Sequence, residues 1–176
     1  MNEVHLILGG ARSGKSAYAE MLATTSGLPV TYIATAQVYD SEFQQRVSHH
    51  QNRRPAHWTT IEQSFALGAT LRQHAKQGHC VIVDCLTLWL AQSICPDCEQ
   101  PADFDWQQER QALLDAIPTV PGLVLMVSNE VGMGIVPLGE INRQFQDEQG
   151  RLNQAVAKVA DKVSFVAAGL PLLLKG

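Results

Sequence analysis

Eight residues near the start of the chain follow the pattern Gly, four residues, Gly-Lys-Ser. A loop of this kind wraps a polyphosphate with its backbone N–H groups, and glycine permits the close approach because it has no Cβ. Lys15 can contact the β- and γ-phosphates, and the Ser16 hydroxyl can bind Mg²⁺. The pattern therefore predicts a nucleotide-phosphate site. Its predicted contacts are Gly9, Gly10, Ala11, Arg12, Ser13, Gly14, Lys15 and Ser16.

The residues on either side of this phosphate loop (Gly9–Ser16) have the order that such a loop requires. Val4–Leu8 is short and mostly apolar, as is typical of a strand buried in a parallel sheet. Ser16–Thr25 then has helical periodicity, and Gly27 is suited to end the helix. A glycine-rich turn without function is the alternative, but the strand–loop–helix order favours a phosphate site. The predicted apolar face of the helix comprises Ala17, Tyr18, Met21 and Leu22.

Two later strands end in residues that the fold would bring to the same site. Pro29–Ala36 predicts a strand ending in small residues, and Cys80–Asp84 predicts an apolar strand ending in a carboxylate. Ligands of open α/β sheets bind beyond the carboxyl ends of the strands. Asp84 is therefore predicted to hold Mg²⁺ together with Ser16. The small residues expected near the nucleotide are Ala34, Thr35 and Ala36.

A polar helix is predicted after the second strand. Ser41 and Gln44 fit a capping box at its start. His49 falls on the same predicted face as Arg46 and Arg53. Neighbouring arginine charges favour the neutral imidazole, which is the nucleophilic form, and they could also hold phosphate oxygens. From spacing alone, a solvated polar helix face remains the alternative.

Strands and helices continue to alternate along the rest of the chain, which predicts an α/β fold with a mainly parallel central sheet. An apolar, glycine-rich loop at Val131–Pro137 is predicted to cover a ligand or to pack between subunits. Three further helices are predicted: one capped by Ser64 and closed by Gly78, one capped by Asp103 or Asp105, and one over Glu140–Lys162 that is weakened at Gly150. The predicted extended segments are His57–Gln63, with Glu62 at its end, and strands at Leu123–Ser128 and Val163–Ala168. A turn at Gly169–Pro171 then leads into a closing strand at Leu172–Leu174.

The four cysteines fall into two pairs with different expectations. Cys80 and Cys85 flank an apolar strand and are expected to be small core residues. Cys95 and Cys98 form a Cys-x-x-Cys in a loop. A zinc site would need further ligands at suitable spacing, and the neighbouring sequence has none. The expectation is a loop with two thiols, with a redox pair as the alternative.

The length and charge of the chain limit its class. Its 176 residues suit one domain, 1–176, with a core of its own. The formal net charge of −4 does not favour a nucleic-acid partner. No apolar run approaches the length of a membrane span, and the first residues carry no leader-like basic region. A cytoplasmic enzyme is therefore expected.

Several segments, taken together and in order, match one known family. They are Gly9–Ser16, Tyr32–Ala36, Arg46–His50 with Arg53, Arg54, Trp58, Thr60 and Glu62, Asn129–Pro137, and Gly150–Gln154. With these segments the chain resembles the bifunctional adenosylcobinamide kinase / adenosylcobinamide-phosphate guanylyltransferase family of cobalamin biosynthesis. The Asn129–Pro137 run is the most specific of them, more so than the phosphate loop.

The resemblance implies a three-layer P-loop NTPase fold of RecA type and two reactions. A nucleoside triphosphate, such as ATP or GTP with Mg²⁺, would phosphorylate adenosylcobinamide. GTP would then donate GMP to the adenosylcobinamide phosphate through a GMP-histidine, which the resemblance places at His49. It also implies a homotrimer or a larger multiple. Beyond the phosphate loop, the implied nucleotide contacts are Ala34, Thr35, Ala36, His50, Gln51, Asn52, Arg53, Glu62 and Asp84.

Two features depart from this picture. The Cys95–Cys98 loop is not part of the family pattern, and the chain has no Asn-Lys-x-Asp motif for reading guanine. Two other functions compete with the bifunctional enzyme. One is a small-molecule kinase without guanylyl transfer, and the other is a nucleotide-dependent switch without catalysis.

Overall fold

The computed structural model describes residues 2–36 and 55–176. The strands within these ranges form one seven-stranded sheet. The strand order is β3-β2-β4-β5-β1-β6-β7, and only the β6–β7 pair is antiparallel in this sheet. β1 therefore lies between β5 and β6, which come late in the chain. The strands are β1 (Glu3–Gly9), β2 (Val30–Ala34), β3 (Thr59–Glu62), β4 (Cys80–Asp84), β5 (Leu123–Asn129), β6 (Lys162–Ala167) and β7 (Leu170–Lys175).

Helices cover both faces of the sheet, which gives three layers. Alternate strand residues point to opposite faces, so each strand contributes to two apolar layers. One layer contains Ile7, Ile82 and Val127 with α1, and the other contains Leu6, Val83 and Met126 with the later helices. The helices are α1 (Lys15–Ser26), α2 (Leu67–His74), α3 (Leu86–Ile94), α4 (Trp106–Ala116) and α5 (Glu140–Val159), with a short 3₁₀ turn at Ile117–Thr119. None of the described helices has the length and apolarity needed to cross a lipid bilayer.

The predicted strands are present, and the mainly parallel sheet is confirmed. Asp105 caps α4, as one of the two predicted candidates, by accepting a hydrogen bond from the Gln108 N–H. Gly27 ends α1 in the left-handed conformation, with its N–H donating to the Thr24 carbonyl. The predicted helix that carries Arg46, His49 and Arg53 lies outside the described residues.

The predicted apolar face of α1 is confirmed at Tyr18 and Leu22 and wrong at Ala17 and Met21. Ala19 and Ala23 are fully buried against the sheet, whereas Met21 is 48% exposed and Ala17 is also exposed. Alanine lets the helix backbone approach the strands closely, so the two alanines face inward. Tyr18 and Leu22 contact the edge of the same layer.

Other boundaries also differ from prediction. Ser64 does not cap α2, which begins at Leu67 after Ala66 in the left-handed conformation and ends at His74 rather than at Gly78. The Ser64 carbonyl accepts a hydrogen bond from Gln92 Nε2 at 2.6 Å. The turn before β7 is Ala168–Gly169, both at positive φ, so the strand already begins at Leu170. A two-residue turn of this kind suits the right-handed twist of a hairpin. Pro171 is accommodated because β7 is an edge strand.

Helix α5 runs through Gly150 without a break, and its buried face is partly polar. Leu152 and Val156 are fully buried, whereas Ile141 is 44% exposed. Gln149 and Asn153 complete the buried side of the helix. They bond to the end of β5, as described below.

Candidate active site

The phosphate loop is closed by its own backbone and supported by the β6–β7 turn. The Ser13 N–H donates to the Gly10 carbonyl at 3.2 Å, and the Tyr18 N–H donates to the Gly14 carbonyl at 2.9 Å. From the other side, the Gly169 N–H donates to the Ser13 carbonyl at 2.8 Å. The β6–β7 turn therefore fixes the shape of a loop that lies more than 150 residues earlier in the chain.

Two glycines of the loop are required by close packing as well as by phosphate. A Cβ on Gly9 would meet Ser13 Oγ and would lie 2.5 Å from the Val166 carbonyl oxygen. Gly14 has φ +97°, and a Cβ there would lie 2.9 Å from Gly169 Cα. The Ser13 hydroxyl is buried inside the loop and has no hydrogen-bond partner within the described part of the chain. Such a group suits a loop built to surround a polar ligand.

Lys15 folds back over the loop and is only 9% exposed. Its Nζ donates to the Gly10 carbonyl at 3.1 Å. Burial lowers the pKa of Lys15 from its ordinary value, and the neighbouring Cys85 and Asp84 oppose that shift. The ammonium group therefore lies within the predicted phosphate loop, and its contact with phosphate stays a prediction.

Asp84 ends β4, where Ala34 and Val127 are its neighbours on the adjacent strands. Its Oδ2 accepts a hydrogen bond from the Tyr32 hydroxyl at 2.6 Å. The peptide after it is also fixed, because the Thr35 hydroxyl accepts from the Cys85 N–H at 2.8 Å and donates to the Cys85 carbonyl at 2.7 Å. Thr35 is fully buried, and its hydroxyl holds the strand end that carries Asp84. Its predicted contact with the nucleotide stays a prediction.

The residues present fit a Mg²⁺ ion that is bound together with phosphate. Ser16 lies in the first turn of α1, and Asp84 lies at the strand end that interacts electrostatically with Lys15. The described residues contain no cluster of three or more His, Cys, Asp or Glu side chains suited to a metal. Mg²⁺ commonly binds through one or two protein oxygens plus nucleotide phosphates and water. One hydroxyl and one carboxylate match that mode.

The strand ends bring several predicted residues to one edge of the sheet. Glu62 is exposed at the end of β3 and pairs with Ala34, which in turn pairs with Asp84. Gly9 lies on β1 of the same sheet and pairs with Asn129 of β5. The predicted contacts His49, His50, Gln51, Asn52 and Arg53 lie outside the described residues, so their position relative to this edge stays a prediction.

The sequence interpretation missed two groups that fix this edge. One is the phenol of Tyr32, which was noted only as part of a family segment. The other is a buried polar network that anchors β5 to α5. Its contacts are Ser128 Oγ donating to Asn153 Oδ1 at 2.6 Å, Gln149 Nε2 donating to Ser128 Oγ and Asn153 Oδ1 at 3.0 Å each, and Asn153 Nδ2 donating to the Asn129 carbonyl at 3.0 Å. The sequence signal for this network was the presence of two polar residues, Gln149 and Asn153, on the inward side of an amphipathic helix.

The loop after β5 is apolar and exposed. Gly132 donates its N–H to Glu130 Oε1 at 2.6 Å, directly after the end of β5. The large side chains beyond it lie in solvent, with exposed fractions up to 97% at Ile135. Whether this loop covers a ligand or packs between subunits stays a prediction. The exposed residues are Met133, Ile135, Val136 and Leu138.

Of the two cysteine pairs, one lies as predicted and the other does not. Cys80 and Cys85 are buried as expected, and burial raises the pKa of each thiol to about 12. The expectation of two thiols at Cys95 and Cys98 is wrong, because they form a disulfide, and a redox role for the pair stays a prediction. Gln100 closes the same loop by donating from Nε2 to the Ser93 carbonyl at 2.9 Å.

Two solved structures share this architecture. A prototypical type III secretion ATPase from pathogenic bacteria superimposes with a TM-score of 0.53 at 13% identity, covering 98% of this chain and 57% of that protein. A Pyrococcus horikoshii protein gives 0.56 at 10% identity, covering 99% and 87%. At such low identity these matches establish the fold alone, and they agree with the expected P-loop NTPase architecture.

Closer relatives identify the family. The chain is 54% identical over 171 residues to the bifunctional adenosylcobalamin biosynthesis protein CobP of Pseudomonas aeruginosa, covering 97% of this chain and 96% of that protein. It is 37% identical over 179 residues to CobU of Escherichia coli, covering 97% and 98%. The family model described as cobinamide kinase / cobinamide phosphate guanyltransferase matches residues 5–174. With this phosphate loop and strand-end carboxylate, the chain belongs to the cobinamide kinase / cobinamide phosphate guanyltransferase family.

Proposed function

We propose that this protein phosphorylates adenosylcobinamide and then converts the product to adenosyl-GDP-cobinamide. In the first reaction a nucleoside triphosphate donates its γ-phosphoryl group to the substrate hydroxyl. In the second, GTP donates GMP to the new phosphate and pyrophosphate is released. The observation that supports this most directly is the closed phosphate loop with Lys15 buried in it, in a chain that matches the bifunctional family from residue 5 to residue 174.

The kinase reaction is assigned to the phosphate loop and the end of β4. Negative charge on the transferring phosphoryl group must be offset during the reaction, and Lys15 supplies a positive charge at that place. Ser16 and Asp84 would hold Mg²⁺, which bridges and neutralises phosphate oxygens when bound. The remaining proposed nucleotide contacts are Ala34, Thr35, Ala36, Glu62 and the segment from His50 to Arg53.

The guanylyl transfer is assigned to His49 as the nucleophile. An imidazole nitrogen attacks the α-phosphorus of GTP, a P–N bond forms, and the P–O bond to pyrophosphate breaks. A phosphate oxygen of adenosylcobinamide phosphate then attacks the same phosphorus, and the P–N electron pair returns to the imidazole. Splitting the transfer in two stores GMP on the enzyme after pyrophosphate has left.

Labelling with GTP that carries ³²P at the α position tests this assignment. Wild-type protein should acquire a label that is labile in acid and stable in alkali, as a phosphoramidate is. His49→Ala should lose the label and guanylyl transfer while keeping most of its kinase activity. The adjacent His50→Ala is the matched control and should still be labelled, with reduced yield if His50 contacts the nucleotide.

The other outcomes identify the competing functions. Label on His49→Ala but not on His50→Ala would show that the wrong histidine was chosen. Transfer of γ-phosphate by an unlabelled wild-type protein would indicate a kinase alone, and neither reaction would indicate a switch. The one-domain organisation of residues 1–176, the cytoplasmic location and assembly as a homotrimer or larger multiple stay predictions.

A further inference from the structure

Tyr32 and Asp84 are placed together by the pairing of β2 with β4. Tyr32 pairs with Ile82, which lies two residues before Asp84, so the two side chains share one face of the sheet. Tyr32 is only 1% exposed, and its ring packs in the layer beneath α1. Its hydroxyl therefore meets the carboxylate at the end of the neighbouring strand, and the Oη–Oδ2 distance is 2.6 Å.

The Tyr32 hydroxyl has a role beyond the packing of the aromatic ring. A phenylalanine would provide the same ring without a buried polar group that needs a partner. A separation of 2.6 Å is typical of a hydroxyl that donates to an ionised carboxylate, which is a stronger bond than one between neutral groups. The hydroxyl thus fixes the rotation of the Asp84 carboxylate.

The backbone around Asp84 is fixed by the same strand. Thr35 bonds to both the N–H and the carbonyl of Cys85 and is itself held by Gln92, whose Nε2 donates to the Thr35 carbonyl at 2.8 Å. The Thr35 N–H also donates to the Asp84 carbonyl at 3.2 Å. Because the backbone is fixed in this way, the remaining conformational freedom of Asp84 is rotation of its carboxylate group. The hydrogen bond from Tyr32 restricts that rotation.

We propose that Tyr32 is a positioning residue for Asp84, which occupies Oδ2 with its hydroxyl and leaves Oδ1 as the oxygen that binds Mg²⁺. This inference rests on the proposed role of Asp84 as a metal ligand. A carboxylate whose orientation is set in advance binds the ion without first losing rotational freedom. Partners that orient metal ligands typically change metal affinity by about 10- to 100-fold when they are removed.

The test measures metal affinity separately from nucleotide affinity. Mn²⁺ binding to the complex with a non-hydrolysable GTP analogue is followed by electron paramagnetic resonance, and binding of the analogue alone is measured in EDTA. Tyr32→Phe should weaken Mn²⁺ binding about tenfold or more and leave metal-free analogue binding unchanged. The matched control is Tyr18→Phe, which removes the hydroxyl of a ring that stands edge-on to His5 and keeps the backbone N–H that bonds to Gly14. This variant should change neither affinity.

Asp84→Asn separates the failure of this inference from failure of the proposed metal site. If Asp84→Asn leaves Mn²⁺ affinity unchanged, Asp84 is not the ligand and the proposed function is at fault. If Asp84→Asn weakens Mn²⁺ binding and Tyr32→Phe does not, the positioning role is refuted. The double variant should bind Mn²⁺ no more weakly than Asp84→Asn alone.

A second measurement keeps the Tyr32 hydroxyl in place and observes the ring directly. Protein made with 3-fluorotyrosine gives one ¹⁹F resonance for each of Tyr18, Tyr32 and Tyr39, and single Phe variants serve only to assign these resonances. Addition of Mg²⁺ to the analogue complex should shift the Tyr32 resonance and leave that of Tyr18 in place. A Tyr32 resonance that does not respond to Mg²⁺ would overturn the proposal.

Discussion

At the residue scale, we expect the charge of Lys15 to matter for phosphoryl transfer and much less for the stability of the fold. Lys15→Ala removes the charge that faces the phosphates and, with it, the hydrogen bond to the Gly10 carbonyl. Phosphorylation of adenosylcobinamide should therefore fall by orders of magnitude, because the transferring phosphoryl group loses its protein cation. Transfer of ³²P from the γ position measures this effect.

A variant of an exposed lysine controls for the loss of positive charge alone. Lys158→Ala removes an exposed lysine at the end of α5 and should keep wild-type turnover. Circular dichroism checks that both variants are folded. Wild-type turnover in a folded Lys15→Ala protein would refute the assignment of Lys15.

Two adjacent glycines of the phosphate loop should respond differently to the same methyl group. In Gly9→Ala the new Cβ would meet Ser13 Oγ and the Val166 carbonyl, and backbone cannot move aside easily. Overpacking of this kind costs about 1–3 kcal/mol of unfolding free energy. In Gly10→Ala the Cβ meets nothing within 4 Å, so the unfolding free energy should stay close to wild type.

Urea unfolding without nucleotide measures both glycine variants. The comparison separates the packing role of a loop glycine from its role in admitting phosphate. Equal unfolding free energies for the two variants would show that the contact with Val166 relaxes at little cost.

At the scale of elements, the Cys95–Cys98 loop is closed by a disulfide but lies outside the elements that form the phosphate site. A Cys95→Ser/Cys98→Ser variant should therefore keep both activities. Gln100 still bonds to the Gln92 and Ser93 carbonyls at the end of α3 and would hold the loop in place. Activity assays of both reactions, with zinc analysis of the wild-type protein, check this. Loss of activity together with stoichiometric zinc in the wild type would contradict it.

Elements with local causes could be predicted, and contacts between distant elements could not. The phosphate loop, the start of α4 at Asp105 and the end of α1 at Gly27 follow from neighbouring residues. The predicted cap at Ser64 is wrong because α2 begins only after Ala66, which adopts the left-handed conformation that alanine rarely takes, and the Ser64 carbonyl bonds to Gln92, 28 residues later. The bond from Tyr32 to Asp84 joins residues 52 apart and has no local signal. The inward face of α1 was missed because periodicity marks apolar positions without their size, and close packing selects Ala19 over Met21.

At the scale of the whole molecule, His5 makes the stability of the sheet depend on pH. It is buried at the β1–β6 pair, where its Nε2 lies 2.8 Å from Ser164 Oγ. Burial lowers the pKa of His5 below its ordinary 6.5, while Glu3 raises it and Lys162 lowers it further. The unfolded chain therefore takes up this proton first, so the unfolding free energy falls as the pH drops below about 6.5 toward the folded pKa.

Replacement by a residue that does not titrate isolates this contribution. His5→Gln should be less stable than wild type at pH 7.5, and the gap should narrow at pH 5.5, because only the wild type loses the His5 contribution. Urea unfolding at the two pH values measures the gap. A gap that is unchanged or wider in acid would contradict this.

The place of β1 between β5 and β6 has a consequence for how the protein is made. The phosphate loop is translated well before β6 and the β6–β7 turn, which carry the Val166 carbonyl and the Gly169 N–H that pack against it. A nascent chain therefore cannot complete the support of its phosphate loop until β6 and this turn have been translated. A product terminated before β6 would leave β1 with an open side, and such an unpaired strand favours aggregation.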